Sequence, residues 1–123
     1  MEVLIYIGGV IVILWGAGHL FPTRNIVAGF GQLSDNNRHI ITMEWLAEGF
    51  TLIFIGVLNL IIASVADTGD SVADTVYLTS AGMLVAMAVL SLFTGFKTSV
   101  APIKACPFVK LMVATLFVLG VLL

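Results

Sequence analysis

Apolar residues fall into four long runs, 3–21, 41–65, 75–96 and 106–123, separated by shorter polar stretches. A helix needs about 20 residues to cross the hydrocarbon core of a bilayer, and each run meets or approaches that length. The pattern predicts a single all-α domain over residues 1–123, an integral membrane bundle of four transmembrane helices. Pro22 ends the first run, because proline disfavours helix in the residue before it. Residues 22–40 are polar and glycine-rich, with one apolar stretch, Ile26–Leu33, that reads as a re-entrant or interfacial turn. A connection this long in so short a chain leans functional. The acidic stretch Ala66–Ala73 is short, so the second and third helices are expected to be antiparallel neighbours. Lys97–Ala105, with Pro102 inside it, forms the last connection.

Charge gives this pattern a direction. Arg24, Arg38, Lys97, Lys104 and Lys110 all lie near 22–43 or 97–110, whereas Glu2, Asp67, Asp70 and Asp74 lie at the opposite ends of the runs. Cytoplasmic loops of membrane proteins carry the excess of Lys and Arg. The expected topology therefore has both termini outside and both basic stretches in the cytoplasm. Lys110, one turn into the fourth helix, can snorkel to the interface.

Composition agrees. The chain is 60% hydrophobic and only 10% charged, where a soluble domain carries about 25% charged residues; the mean hydropathy is +1.17. The net charge of −2 hides the asymmetry, and no basic run points to nucleic acid. The first run has Glu2 where a signal peptide has a basic region, Arg24 follows it rather than preceding it, and no A-x-A-like site is visible, so it reads as a retained helix. The single cysteine, Cys106, has no intramolecular disulfide partner, and a cytoplasmic position keeps it reduced.

Ionisable groups inside a membrane are expensive and mark function by default. Glu44 and Glu48, four residues apart, share a helix face, and Thr51, Ile55 and Asn59 follow on the same arc. This stripe runs from the cytoplasmic mouth into the bilayer. On the first helix Gly8, Val12, Trp15 and His19 share an arc in the same way, with His19 about one turn from the cytoplasmic end. The expected cluster is His19, Glu44 and Glu48, with Arg24, Arg38 and His39 at its rim. Two carboxylates beside a histidine can bind a divalent metal or act as an acid/base pair, since crowding raises one carboxylate's proton affinity. They can also simply neutralise Arg24 and Arg38. Trp15 can line a pocket for a flat or prenylated ligand or pack in the core; Asn59 can join a ligand or hydrogen-bond between helices. The Glu-x-x-His pairs of a di-iron bundle are missing. Haem would need His19 and His39 to face each other, although His39 falls in the connection. Cys106-Pro107 resembles the dipeptide of haem-responsive sites, but a proline at a helix start explains it as well.

The segment Met43-Glu44-Trp45-Leu46-Ala47-Glu48-Gly49-Phe50-Thr51-Leu52-Ile53-Phe54-Ile55-Gly56 resembles the second helix of the DoxX-like membrane proteins, small four-helix proteins of bacteria. There an acidic residue precedes a glycine and a second glycine follows in an apolar run, as Glu48-Gly49 and Gly56 do here. The first-helix exit Gly16-Ala17-Gly18-His19-Leu20-Phe21-Pro22 is similar to that family's glycine-rich exit. Glu2 stands where the family usually has a basic residue. The resemblance implies the bacterial inner membrane and association with oxidoreductase complexes, quinone-linked chemistry and thiol stress.

Three functional readings follow. In the first, a cytoplasm-facing pocket at His19, Glu44 and Glu48, with Trp15 and Asn59 as further ligand-binding residues, holds a quinone, lipid or metal for an accessory role in redox chemistry. In the second, the stripe Glu44, Glu48, Thr51 and Asn59 is the path of a small transporter or channel. The complete charge bias argues against a small dual-topology transporter, and no internal repeat supports an inverted-repeat one. In the third, the chain is a structural subunit without chemistry. The small interior of a 123-residue bundle makes a homo-oligomer or a larger membrane complex the expected assembly.

Overall fold

The computed structural model describes residues 2–67, 69–95 and 101–123. Lys97, expected in the last connection, lies outside the described residues. The order of elements is α1 (Glu2–Leu20), α2 (Thr23–Ala28), α3 (Asp35–Val65), α4 (Ser71–Gly95) and α5 (Ala101–Leu122), with no strand among the described residues. Four of these helices, all but the six-residue α2, are long and apolar enough to cross a membrane. With no water in the hydrocarbon to satisfy backbone groups, an apolar chain crosses as helix.

The second long helix begins earlier than the apolar pattern implies. Ser34 caps α3, its Oγ accepting from the Asn37 N–H at 3.1 Å. Such a cap satisfies one of the unpaired N–H groups of the first turn, and Asp35 there complements the helix dipole. The 31 residues of α3 span about 46 Å at 1.5 Å per residue, against about 30 Å of hydrocarbon. Its exposed opening turns, 35–40, therefore extend beyond an apolar slab. The expected loop 22–40 is largely helical in consequence. Ile26–Leu33 does not form one element: Ile26, Val27 and Ala28 complete α2, and the chain then turns through Gly29–Leu33, with Gly31 at φ 80°. At the other end of α3, Asp70 Oδ1 caps α4 by accepting from the N–H groups of Val72 and Ala73 at 2.8 and 3.1 Å. The helix α5 starts at Ala101 rather than 106. Pro107 thus lies inside it and removes one intrahelical bond instead of opening the helix.

A glycine seam joins α1 to α3. Gly9 and Gly16 on α1 face Gly56 and Gly49 on α3, so the two helices run antiparallel. A Cβ built on Gly16 would lie 2.9 Å from the Gly49 carbonyl oxygen, and one on Gly56 would lie 2.6 Å from that of Gly9. Small residues let transmembrane backbones approach this closely, where van der Waals packing takes over from the hydrophobic effect. Gly8, one position round, seats the Phe117 ring of α5. The core is built from Ile5 and Val12 of α1, Leu52 and Ile55 of α3, Leu84 of α4, and Val113 and Phe117 of α5. Large apolar side chains such as Leu14, Phe54, Leu90 and Phe93 point outward, as lipid-facing residues do.

The helix pairs are packed unequally. The helix α1 packs extensively on α3 and α5, and α4 on α5, but α3 and α4 touch only sparingly despite their short connection. The antiparallel order brings Glu2 and Leu123 to one end of the bundle with Asp67, Asp70 and Asp74. Arg24, Arg38 and Lys104 gather at the other.

Substituting alanine for Gly56 should destabilise the protein by about 1–3 kcal/mol, the usual cost of overpacking a filled core. Gly18, whose Cβ would meet nothing within 4 Å, should accept alanine with a change within about 0.5 kcal/mol or a slight gain. Unfolding in detergent micelles checks both; equal effects at the two positions would count against the seam.

Candidate functional site

Four helices bring one side chain each to the basic end of the bundle: His19 from α1, Glu48 from α3, Ser91 from α4 and Lys110 from α5. His19 and Glu48 each lie 17 residues from the acidic end of their helices, at Glu2 and Val65. At helical rise that is about 26 Å, close to the basic-side edge of a slab about 30 Å thick. Equal depth on antiparallel helices lets the two side chains meet.

Glu48 is the hub. Its Oε1 accepts a charge-assisted hydrogen bond from Lys110 Nζ. Lys110 Nζ also donates to Ser91 Oγ at 3.0 Å. Glu48 Oε2 lies 3.2 Å from His19 Nε2. That distance is within ion-pair reach, and the buried Nε2 forms no regular hydrogen bond. The Lys110 side chain is 1% exposed and that of His19 8%, whereas Glu48 retains 30%. The carboxylate is the part of the cluster that can be reached from outside. Lys110 therefore does not snorkel to the interface: its four-carbon stem stays in the bundle and its ammonium meets a counter-charge there.

Two tryptophans brace the histidine and the lysine. Trp45 stacks on the His19 ring, with centroids 3.8 Å apart and planes 15° from parallel. Its Nε1 donates to the His19 carbonyl at 2.8 Å, satisfying one of the carbonyls left unpaired at the end of α1. Trp15, one turn before His19, donates from Nε1 to Cys106 Sγ at 3.3 Å, and Cys106 is one turn before Lys110. This second bridge fixes α1 to α5 beside the charges.

Of the residues singled out in the sequence, the structure brings together His19 and Glu48, with Trp15 nearby. Glu44 is exposed at the rim, as are Arg24, Arg38 and His39, and among the described residues it pairs with neither arginine. The stripe Glu44, Glu48, Thr51 and Asn59 divides among separate environments. Thr51 bonds back to the Ala47 carbonyl at 2.7 Å. Asn59, fully buried, donates from Nδ2 to Ser80 Oγ at 2.9 Å and to the Ile55 carbonyl at 2.7 Å. Among the described residues no three His, Cys, Asp or Glu side chains converge as a metal would require, so His19, Glu44 and Glu48 do not form a ligand set. His39, on the protruding turns of α3, does not face His19 as a bis-histidine haem would need.

Lys110 and Ser91 were not anticipated as site residues. A lysine within an otherwise apolar run signals an intramembrane charge, and that signal was available. Nothing marks Ser91 among the serines of an apolar helix. Chemically, the cluster balances one carboxylate against one ammonium, with a histidine beside them that can take or release a proton. It offers a potential hydrogen-bond donor or acceptor at His19 Nε2 and an accessible acceptor at Glu48.

Removing one partner of a buried pair leaves the other charge uncompensated. Glu48→Gln strands the buried Lys110 and should cost about 3–5 kcal/mol of stability. Lys110→Met leaves the more exposed Glu48 with His19 still beside it and should cost less. The double variant should recover much of the Glu48→Gln loss. A double-mutant cycle of unfolding in micelles checks this, and additive single effects would deny the coupling.

Comparison with protein-family models, with curated proteins and with solved structures found no match to this chain.

Proposed function

We propose that the chain is a membrane-embedded binding protein whose site is the His19–Glu48–Lys110 cluster. Its ligand is a membrane-soluble molecule of the quinone or lipid class, with a polar head that hydrogen-bonds at His19 Nε2 and Glu48. The role is accessory to redox chemistry, in a bacterial inner membrane, within a homo-oligomer or a larger membrane complex. The observation that carries this reading is a nine-tenths-buried imidazole whose Nε2 lies 3.2 Å from Glu48 Oε2 without forming a regular hydrogen bond, beside a carboxylate that remains 30% exposed. Buried polar groups are hydrogen-bonded as a rule, and a ligand head reaching in past Glu48 would share that nitrogen and the carboxylate. The small, balanced cluster favours a neutral head over a metal ion, because Lys110 already occupies one oxygen of the carboxylate. The DoxX-like resemblance of Met43–Gly56 supports the redox side of the reading.

The test compares protein purified in mild detergent with the charge-neutral pair of substitutions Glu48→Gln and Lys110→Met. Solvent extraction, mass spectrometry and absorption should find a quinone- or lipid-class molecule retained by the native chain and reduced at least tenfold in the variant. Equal retention in both forms, or none in the native chain, would overturn the assignment.

A further inference from the structure

The sparse contact between α3 and α4 leaves a cleft of about 400 Å³, within the roughly 300–1,000 Å³ of small-molecule sites. We infer that this cleft binds a single hydrocarbon tail, that of the amphiphile whose head is assigned above to the His19–Glu48–Lys110 cluster. The inference rests on that reading for the identity of the head, and on the cleft itself for the tail.

The lining runs from Thr51 to Leu58 on α3 and from Thr75 to Met83 on α4, about 11 Å along each helix at 1.5 Å per residue. A groove of this length, lined by two helices side by side, takes part of an extended chain.

Chemistry narrows the occupant. Phe54, Leu58, Val76 and Met83 supply an apolar wall. Thr51 donates to Ala47 O and Thr75 to Ser71 O, at 2.7 and 2.8 Å, while Ser80 Oγ accepts from Asn59. The hydroxyls of Thr51 and Thr75 are thus committed to their own helices and that of Ser80 to Asn59, leaving Thr79 at the lip, so the wall suits hydrocarbon. Both lining segments lie in the apolar spans of their helices, where hydrocarbon is the surrounding solvent.

Position links the cleft to the charges. Thr51 is three residues from Glu48, which places it one turn deeper on a neighbouring line of α3. A head at Glu48 can therefore continue as a tail along Thr51 and Leu58 towards the middle of the bilayer.

The probe is hexadecanol carrying a mid-chain diazirine, added to the full-length protein in mild detergent, photolysed and mapped by peptide mass spectrometry. Adducts are expected on 51–58 and 75–83. They should fall at least fivefold with Thr79→Trp or with Met83→Phe, two substitutions at exposed lip positions that fill the cleft; two variants guard against one that misfolds. The Glu48→Gln and Lys110→Met pair should also weaken labelling. Adducts spread over outward residues such as Leu14 and Phe93, or labelling untouched by both filling variants, would overturn the tail site. A change of oligomeric state in the filling variants without cleft adducts would overturn it in favour of a helix interface. Cleft labelling that the filling variants abolish and the charge-neutral pair leaves intact would support the tail site while defeating the head assignment.

Discussion

The buried ammonium of Lys110 sets the terms for the rest of the bundle. A lysine wholly enclosed by protein needs an opposite charge and hydrogen-bond acceptors close by, because the desolvation of an unpaired charge costs several kcal/mol. Glu48 supplies the charge and Ser91 a further acceptor. With His19 on the other carboxylate oxygen, this one polar node touches all four long helices. Apolar packing between lipid-like surfaces is poorly directional. The node gives the helices a register and a rotation that packing alone leaves loose.

Meeting at one carboxylate requires close helices, and the glycine seam provides them. Glutamate and histidine are short enough that a wider α1–α3 spacing would separate Glu48 from His19. Gly49 stands next to Glu48 in the chain, so the residue that admits α1 and the residue that contacts its histidine share one turn of α3. Trp45, another of that turn's neighbours, covers the imidazole and ties its backbone carbonyl. The Met43–Gly56 segment thus combines contact surface, clamp and charge. On the far side of α3 the packing is opposite in character. Among the described residues the α3–α4 seam shows no glycine pairing, and it stays open enough to leave a cleft. A rigid seam on one side and an open one on the other place the charged cluster against a fixed wall with apolar space beside it.

Much of this was legible in the sequence for simple reasons. Runs of about 20 apolar residues have one cheap structure in lipid, so the four long helices, their order and the side on which the basic residues gather could be read directly. His19 and Glu48 could be paired because depth along a helix is a matter of counting. Other features misled. Apolar periodicity placed the start of α3 near 41, because the helix protrudes into water where that signal disappears; Ser34 and Asp35 carried the cap signal instead. Lys110 could be read only as able to snorkel, because a flexible four-carbon stem reaches the interface as well as the interior. A short connection indicated that α3 and α4 are antiparallel neighbours, which they are, but it constrains only their ends and does not set how closely they pack.

The sequence by itself determined a four-helix membrane architecture, the polarity of its two ends and the depth of each ionisable side chain. These follow from length, hydropathy and helical rise, which are local properties. Tertiary structure alone decided which side chains at a given depth meet. It turned Glu48 inward and left Glu44 outside, brought Lys110 and Ser91 to the carboxylate, and closed α1 on α3 more tightly than α3 on α4. Those outcomes depend on how each helix is rotated about its axis. That rotation is set by glycine-to-backbone contact and by one buried charge seeking its partner across the bundle.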